Sequence, residues 1–230
     1  MTNEGPSEFG PVTGKNIRIQ TIADCLCKDN RVIEEWLVRD NLTAVQQLGF
    51  DADRVAKSQA QADKVNSFSL INFHEANRNA IGQGPQADER AGEAVQVAAK
   101  ALRASFSPTT LDVLQDLYDY RVGAQYPGDV SLYVPDQIQN WAFSFLQAFP
   151  DLEVSVDHAA EVPYLGEARD VALRWSARGT HSGAGPYGAP NEAPNYMLGV
   201  TQSRVINGRV REQVTIWDDL ALRRQIATAR

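Results

Sequence analysis

The stretch Tyr196-Met-Leu-Gly-Val-Thr-Gln-Ser-Arg-Val-Ile-Asn-Gly208-Arg-Val-Arg-Glu-Gln-Val-Thr-Ile-Trp217-Asp-Asp-Leu220 decides how this chain reads as a fold. Tyr196, Leu198 and Val200 alternate with other residues ahead of Asn207-Gly208, and Val210, Val214 and Ile216 alternate beyond it. Period-two alternation is the mark of a half-buried strand. Asn-Gly is the strongest two-residue hairpin signal, because both central residues must take positive φ. The stretch therefore predicts a β-hairpin, and Asp218 or Asp219 can cap a short helix from Leu220 to Ile226.

The same plan occurs earlier in the chain. Shifting residues 180–226 back by 178 positions lays them over residues 2–48 without a gap. Thr2/Thr180, Gly5/Gly183, Gly10/Gly188, Arg31/Arg209, Val32/Val210, Glu34/Glu212, Asp40/Asp218, Leu42/Leu220 and Gln47/Gln225 are identical, and Phe9/Tyr187, Ile22/Val200 and Val38/Ile216 are conservative. In this first copy Asp29-Asn30 makes the turn, Asp40 caps and Gly49 ends the helix. Each copy reads as glycine-rich loop, strand, tight turn, strand, short helix, the pattern of an internal repeat.

Ahead of the second copy lies room for a whole domain. Ala94, Val95, Ala98, Ala101 and Leu102 have the spacing of a one-faced helix over Glu93 to Ala104. Ser107-Pro108 starts another helix, with Leu111, Leu114 and Leu117. Tyr120 to Tyr126 forms a strand stopped by Pro127-Gly128, and Pro135 opens a helix with Ile138, Trp141, Ala142, Phe145 and Phe149 on one stripe. Leu152, Val154 and Val156 alternate as a strand, as do Val171, Leu173, Trp175 and Ala177. The order predicts an α+β fold with helices packed on one face of a curved antiparallel sheet. Residues 1–50 are then the C-terminal hairpin and helix of an incomplete domain, 51–92 a partly helical linker with a helix near Asp53 to Asn66, and 93–230 a full domain. Val32, Trp36 and Val38 in the first hairpin expect a packed face, supplied by the later domain of the same chain or of a second one, and a homodimer is the expected arrangement.

Charge narrows the function. With 22 basic and 29 acidic residues the net charge is −7, which argues against a phosphate-tracking nucleic-acid binder. No apolar run approaches the ~20 residues of a membrane span. The N-terminus has neither a basic region nor an apolar core, so a cytoplasmic protein is expected. Cys25 and Cys27 form a lone C-x-C, and His74, His158 and His181 are scattered. Two small buried hydrophobes are therefore expected rather than a redox or metal pair, and neither a metal nor a cofactor is called for.

Several runs resemble one family. Gly179-Thr180-His181-Ser182-Gly183, the Gly-Pro-Tyr-Gly-Ala-Pro loop at 185–190, Val205-Ile206-Asn207-Gly208-Arg209-Val210, Trp217-Asp218-Asp219-Leu220 and Ala148-Phe149-Pro150-Asp151-Leu152 are similar to the SnoaL-like polyketide cyclases of the nuclear transport factor two superfamily. The resemblance covers residues 93–228 as a full domain and 2–49 as the last third of another, with Arg31 to Asp40 the most family-like stretch. It implies a cone-like domain with a ligand cavity. It also implies an Asp on the last strand as general acid/base, a His two residues earlier and a His on the preceding strand. Those positions fall at Thr215, Gln213 and Thr201, and at Leu37 and Glu35 in the first copy. Hydroxyl and amide groups titrate far outside the useful range, so the family's proton transfer does not carry over.

The expected ligand site is Trp141, Thr201, Gln213, Thr215 and Trp217, the last three sharing one strand face. His181, beside the glycine-rich loop, is the candidate catalytic residue; a histidine bonded to a backbone carbonyl is the competing reading. His158 is expected as a satisfied strand histidine, Glu34 as a partner of Arg39 or Arg174, and the 183–190 loop as either a lid or a plain connection. The expected function is binding of a small, mostly apolar or aromatic ligand, as a cyclase or isomerase of a polyketide-like substrate. The alternative is a non-catalytic dimerising or scaffolding module with a degenerate cavity.

Overall fold

The computed structural model describes residues 1–80 and 92–229. Strands β1 (Thr21–Lys28) and β2 (Arg31–Arg39) form a hairpin, followed by helices α1 (Asn41–Leu48), α2 (Ala52–Asn66), α3 (Leu70–Ala80) and α4 (Glu93–Ser105). A short helical turn at 111–113 leads into α5 (Leu114–Leu117), β3 (Tyr118–Tyr126), β4 (Val130–Tyr133) and α6 (Pro135–Ala148). Strands β5 (Glu153–Pro163), β6 (Arg169–His181), β7 (Ala193–Ile206) and β8 (Arg209–Trp217) and helix α7 (Asp219–Thr228) complete the chain.

The fold is α+β. Six strands form one curved sheet in the order β4-β3-β8-β7-β6-β5, and the first hairpin is a separate two-stranded sheet. The expected turn is present: Asn207 and Gly208 both have positive φ, at 51° and 72°. One pairing departs from expectation, because β3 runs parallel to β8. Strand β4, antiparallel to β3, stands just past Pro127-Gly128, where the sequence indicated only a stop.

Helices α4, α5 and α6 cover the inner face of the large sheet. Ala94, Ala98, Leu102, Ile138, Ala142 and Phe145 from these helices meet Val171, Leu173, Trp175 and Trp217 from the strands in one continuous core. Burial of this kind contributes ~25 cal/mol per Å² of apolar surface and dominates the stability of the domain.

The first hairpin sits on the outer face. Val38, with Ile22 beside it, packs on Val200, Ile216 and Leu198. The contact is pinned at one side by Asp24, whose carboxylate accepts from Arg174 Nε at 2.8 Å and lies 2.9 Å from His158 Nδ1. The Arg174 guanidinium also lies 4.3 Å from the centre of the Trp36 ring. Glu34 is therefore not the partner of Arg174 or Arg39; it accepts from Trp36 Nε1 at 2.7 Å.

Residues 51–66 do more than link. Asp51 caps α2 through Arg54 N, and Val55 and Ala56 pack with Val45 and Leu220. Asp63, almost fully buried, holds the Arg224 guanidinium of α7 through two hydrogen bonds. Residues 81–91 of the expected linker lie outside the described residues. Cys25 and Cys27, expected to be buried, are exposed. They lie on the face of the hairpin turned away from the large sheet, with Ala23 and Glu35.

Candidate functional site: an aromatic cage with a neutral hydrogen-bond chain

Strand alternation turns Gln213, Thr215 and Trp217 of β8, and Thr201 and Ser203 of β7, toward the helices. Their polar atoms form one chain. Trp175 Nε1 donates to Thr201 Oγ1 at 3.0 Å, and Thr201 Oγ1 lies 3.0 Å from Thr215 Oγ1. Gln213 Nε2 donates to Thr215 Oγ1 at 3.0 Å and to the Tyr126 hydroxyl at 3.1 Å. Tyr118 O–H donates to Gln213 Oε1 at 2.8 Å. Every member is neutral. Burial raises the Tyr118 pKa and pushes Tyr126 well above its ordinary range, so neither phenol ionises near neutrality.

Around Trp217 stand five rings: Phe145 at 5.5 Å, Phe106 at 5.8 Å, Trp141 at 5.9 Å, Trp175 at 6.2 Å and Tyr126 at 6.4 Å between centres. Trp141 stacks on Tyr126 at 3.9 Å and is partly solvent-exposed, whereas the other five rings are buried. It forms the wall at the cage's edge. Among the described residues, Trp217 Nε1 and Ser203 Oγ beside this chain are buried without a hydrogen-bond partner, as is His181 Nε2 farther along the same core. A buried donor left unpaired costs about 1–3 kcal/mol.

Four of the expected ligand residues, Thr201, Gln213, Thr215 and Trp217, thus come together, with Trp141 at the rim. Tyr118, Tyr126, Phe106 and Ser203 were missed. Tyr118 and Tyr126 have the same parity along one strand, and that spacing was the available signal.

His181 lies elsewhere. Fully buried at the end of β6, its ring packs on Phe149 and Tyr187. Its Nδ1 bonds the side-chain oxygen of Asn191 at 3.0 Å, not a backbone carbonyl, and the Asn191 amide is fixed by donating to Ile226 O. His158 is the half-buried strand histidine expected, engaged with Asp24 on the outer face. The 183–190 loop is seated on the end of α6: Gly183 N donates to Ala148 O, and Tyr187 is buried with its hydroxyl donating to Asp219. A β-carbon on Gly183 would fall 1.9 Å from Gln147 O, so this loop needs glycine there for close approach.

Among the described residues, no group of three or more His, Cys, Asp or Glu is placed to hold a metal. Among them too, no helix is long and apolar enough to cross a membrane.

Residues 96–226, more than half of the chain, match the family model described as SnoaL-like polyketide cyclase. The chain belongs to that family. A solved structure from Acidithiobacillus ferrooxidans, named a polyketide cyclase, superposes with a TM-score of 0.52 at 18% identity, over 61% of this chain and 98% of that one. One from Jannaschia sp. CCS1, named a SnoaL-like polyketide cyclase, gives 0.50 at 18% identity, over 63% and 96%. At such identity the likeness is one of fold alone. A search of curated proteins finds no match to the chain.

Proposed function

We propose that the cone binds a small, flat, largely apolar molecule and holds it by hydrogen bonds to neutral groups, without a carboxylate or imidazole acting on it. The observation that carries this reading is the buried Trp217 N–H, which lacks an acceptor among the described residues and belongs to a ring with five aromatic neighbours. A ligand ketone or phenol oxygen would supply that acceptor, and the rings would supply stacking for an aromatic or polyketide-like body. Entry requires Trp141 to swing from its stack on Tyr126. Any cyclase or isomerase chemistry at this site then rests on positioning and on polarising the bound oxygen, because Thr201, Gln213 and Thr215 stand where the family carries titratable groups.

The second reading, a non-catalytic module, is favoured by one specific feature. The Trp175–Thr201–Thr215–Gln213 chain satisfies itself, and none of its members is an acid or a base. Titration of polycyclic phenols and ketones against tryptophan fluorescence separates the two. Ligand binding predicts saturable quenching that Trp217→Phe weakens about tenfold, the value of one buried hydrogen bond. Absence of saturable quenching across the panel would leave the non-catalytic reading.

A further inference from the structure

Away from the cone, a second cleft opens where the end of β2, helix α3, strand β7 and helix α7 meet. Its volume is about 280 Å³. Arg39, Leu70 and His74 line one side of it, and Tyr196, Leu198 and Arg224 the other. The first three precede residue 96, where the family match begins, so a SnoaL-like domain by itself has only half of these walls.

The polar groups of this cleft are unevenly satisfied. His74 stacks on Tyr196, with ring centres 5.2 Å apart and planes at 26°. Burial lowers its pKa, so near neutrality the imidazole is uncharged and offers one N–H and one acceptor nitrogen. Among the described residues, neither ring nitrogen has a hydrogen-bond partner. The exposed Arg39 guanidinium likewise has neither an ion pair nor a hydrogen bond among them, since Glu34 bonds Trp36 instead. Arg224 donates Nε and Nη2 to buried Asp63, which leaves Nη1 open. Asp218, the carboxyl that lines the cleft, is engaged at both oxygens, by Ala221 N at 3.0 Å and by Asn41 Nδ2 at 2.6 Å. The open hydrogen-bonding groups are thus mostly donors, and the cation without a partner is Arg39.

We infer that this cleft binds a small apolar carboxylic acid, the size of a single ring, as its anion. The carboxylate supplies the counter-charge that Arg39 lacks, with Arg224 Nη1 and the His74 N–H as further donors. Leu70, Leu198 and Ala221 form the apolar wall for the body of the acid. The volume is at the lower end for ligand pockets, which admits a single-ring acid rather than a polycyclic one. The site differs from the cone in position and in the charge it selects. In the cone the open donor is a neutral indole N–H among rings, whereas here it is a guanidinium.

The chain's three histidines report from three places: His74 in the cleft, His158 beside Asp24 on the outer face, and His181 against Phe149 in the core. Titrating the full chain with phenylacetate while following the histidine ring proton resonances tests the inference, and His74→Gln identifies that residue's signals. The His74 signals should move saturably, and those of His158 and His181 should stay in place. Phenylacetamide, with the same ring and no charge, should bind about tenfold more weakly, the value of a hydrogen bond to a charged group. Arg39→Gln should weaken phenylacetate by about the same factor, and Arg39→Lys should weaken it less. Trp217→Phe, which alters the cone, should leave this titration unchanged. Where Arg39→Gln fails to fold, the comparison of acid with amide on the wild-type chain decides. Unmoved His74 signals, equal binding of acid and amide, or full affinity in a folded Arg39→Gln chain overturns the inference. Movement of the His181 signals instead, or loss of binding in Trp217→Phe, puts the acid in the cone and overturns it as well.

Discussion

Two hairpins of equal turn, strand register and register slip lead opposite lives in this molecule. β7–β8 lies beneath α4–α6, and its inner positions Thr201, Ser203, Gln213 and Thr215 are buried. The same positions on β1–β2 are Ala23, Cys25, Glu35 and Leu37, and all four are exposed. The shared backbone comes from alternation and from a turn with two positive-φ residues, Asp29-Asn30 in one and Asn207-Gly208 in the other. The side chains answer to what lies over them. Under a roof of helices each polar atom requires a partner, and a continuous hydrogen-bond chain results. Without the roof there is no such demand, and a thiol, a carboxylate and a leucine stand side by side.

The strongest way to break the comparison is at its first matched position. Gly199 lies under Trp175, and a β-carbon there would fall 2.1 Å from the indole. Neither ring nor sheet can give way, since Trp175 is fully buried and its N–H is tied to Thr201. Gly199→Ala is expected to cost about 3 kcal/mol or to prevent folding, at the upper end for overpacking. Its counterpart Thr21 is exposed, and Thr21→Ala should change stability by less than about 0.5 kcal/mol. Urea denaturation of the two variants measures the difference.

The matched caps sharpen the comparison through pH. Burial pushes the Asp218 carboxyl from 3.8 to about 6, and nearby Asp219 adds to the shift. The folded chain therefore holds this proton more tightly than the unfolded chain. Stability linked to Asp218 falls as pH rises from about 4 through 6, and ionised Asp218 is a cost above that window. Asp218→Asn keeps an N-cap acceptor and removes the charge, and Asn41 can turn its amide oxygen toward the new donor. It should stabilise the protein by about 2 kcal/mol at pH 7.5, and the gain should vanish near pH 4. Asp40 is raised in the same direction by burial, but it accepts from Gly128 N as well as from Thr43 N and Oγ1, and these bonds favour its ionised form. Asp40→Asn should gain less. Unfolding midpoints of both variants across pH decide whether the two caps differ as stated.

Much of this was legible in the sequence, for identifiable reasons. Strong periodicity placed α4, α6 and both hairpins, and the offset of 178 set the matched positions. The inward face of β8 followed from parity alone, which is why Gln213, Thr215 and Trp217 came together. The parallel β3–β8 pair was not legible, because pairing between strands distant in the chain depends on how the helices between them pack. α2 read as part of a linker because its buried side is built from small residues, Ala56 and Ala60 beside Val55, and carries little apolar signal. The cysteines misled for a related reason. Alternation says which residues share a face but not which face is covered.

Thr215 offers the next smaller effect. It accepts from Gln213 Nε2 and pairs with Thr201, so Thr215→Leu strands two buried groups and should cost about 2 kcal/mol by denaturant unfolding.

The mirror substitution, Leu37→Thr, should do almost nothing. Leu37 occupies the position of Thr215 in the other hairpin and is 40% exposed, so its removal leaves no cavity and its replacement leaves no buried polar group. An exposed β-branched residue also suits a strand. The expected change is within about 0.5 kcal/mol, the range for surface sites, together with reduced binding of an apolar dye to the open hairpin face. A loss near that of Thr215→Leu would mean that something covers this face in solution. The contrast between a roofed and an unroofed hairpin would then fail at the residue where it is drawn most directly.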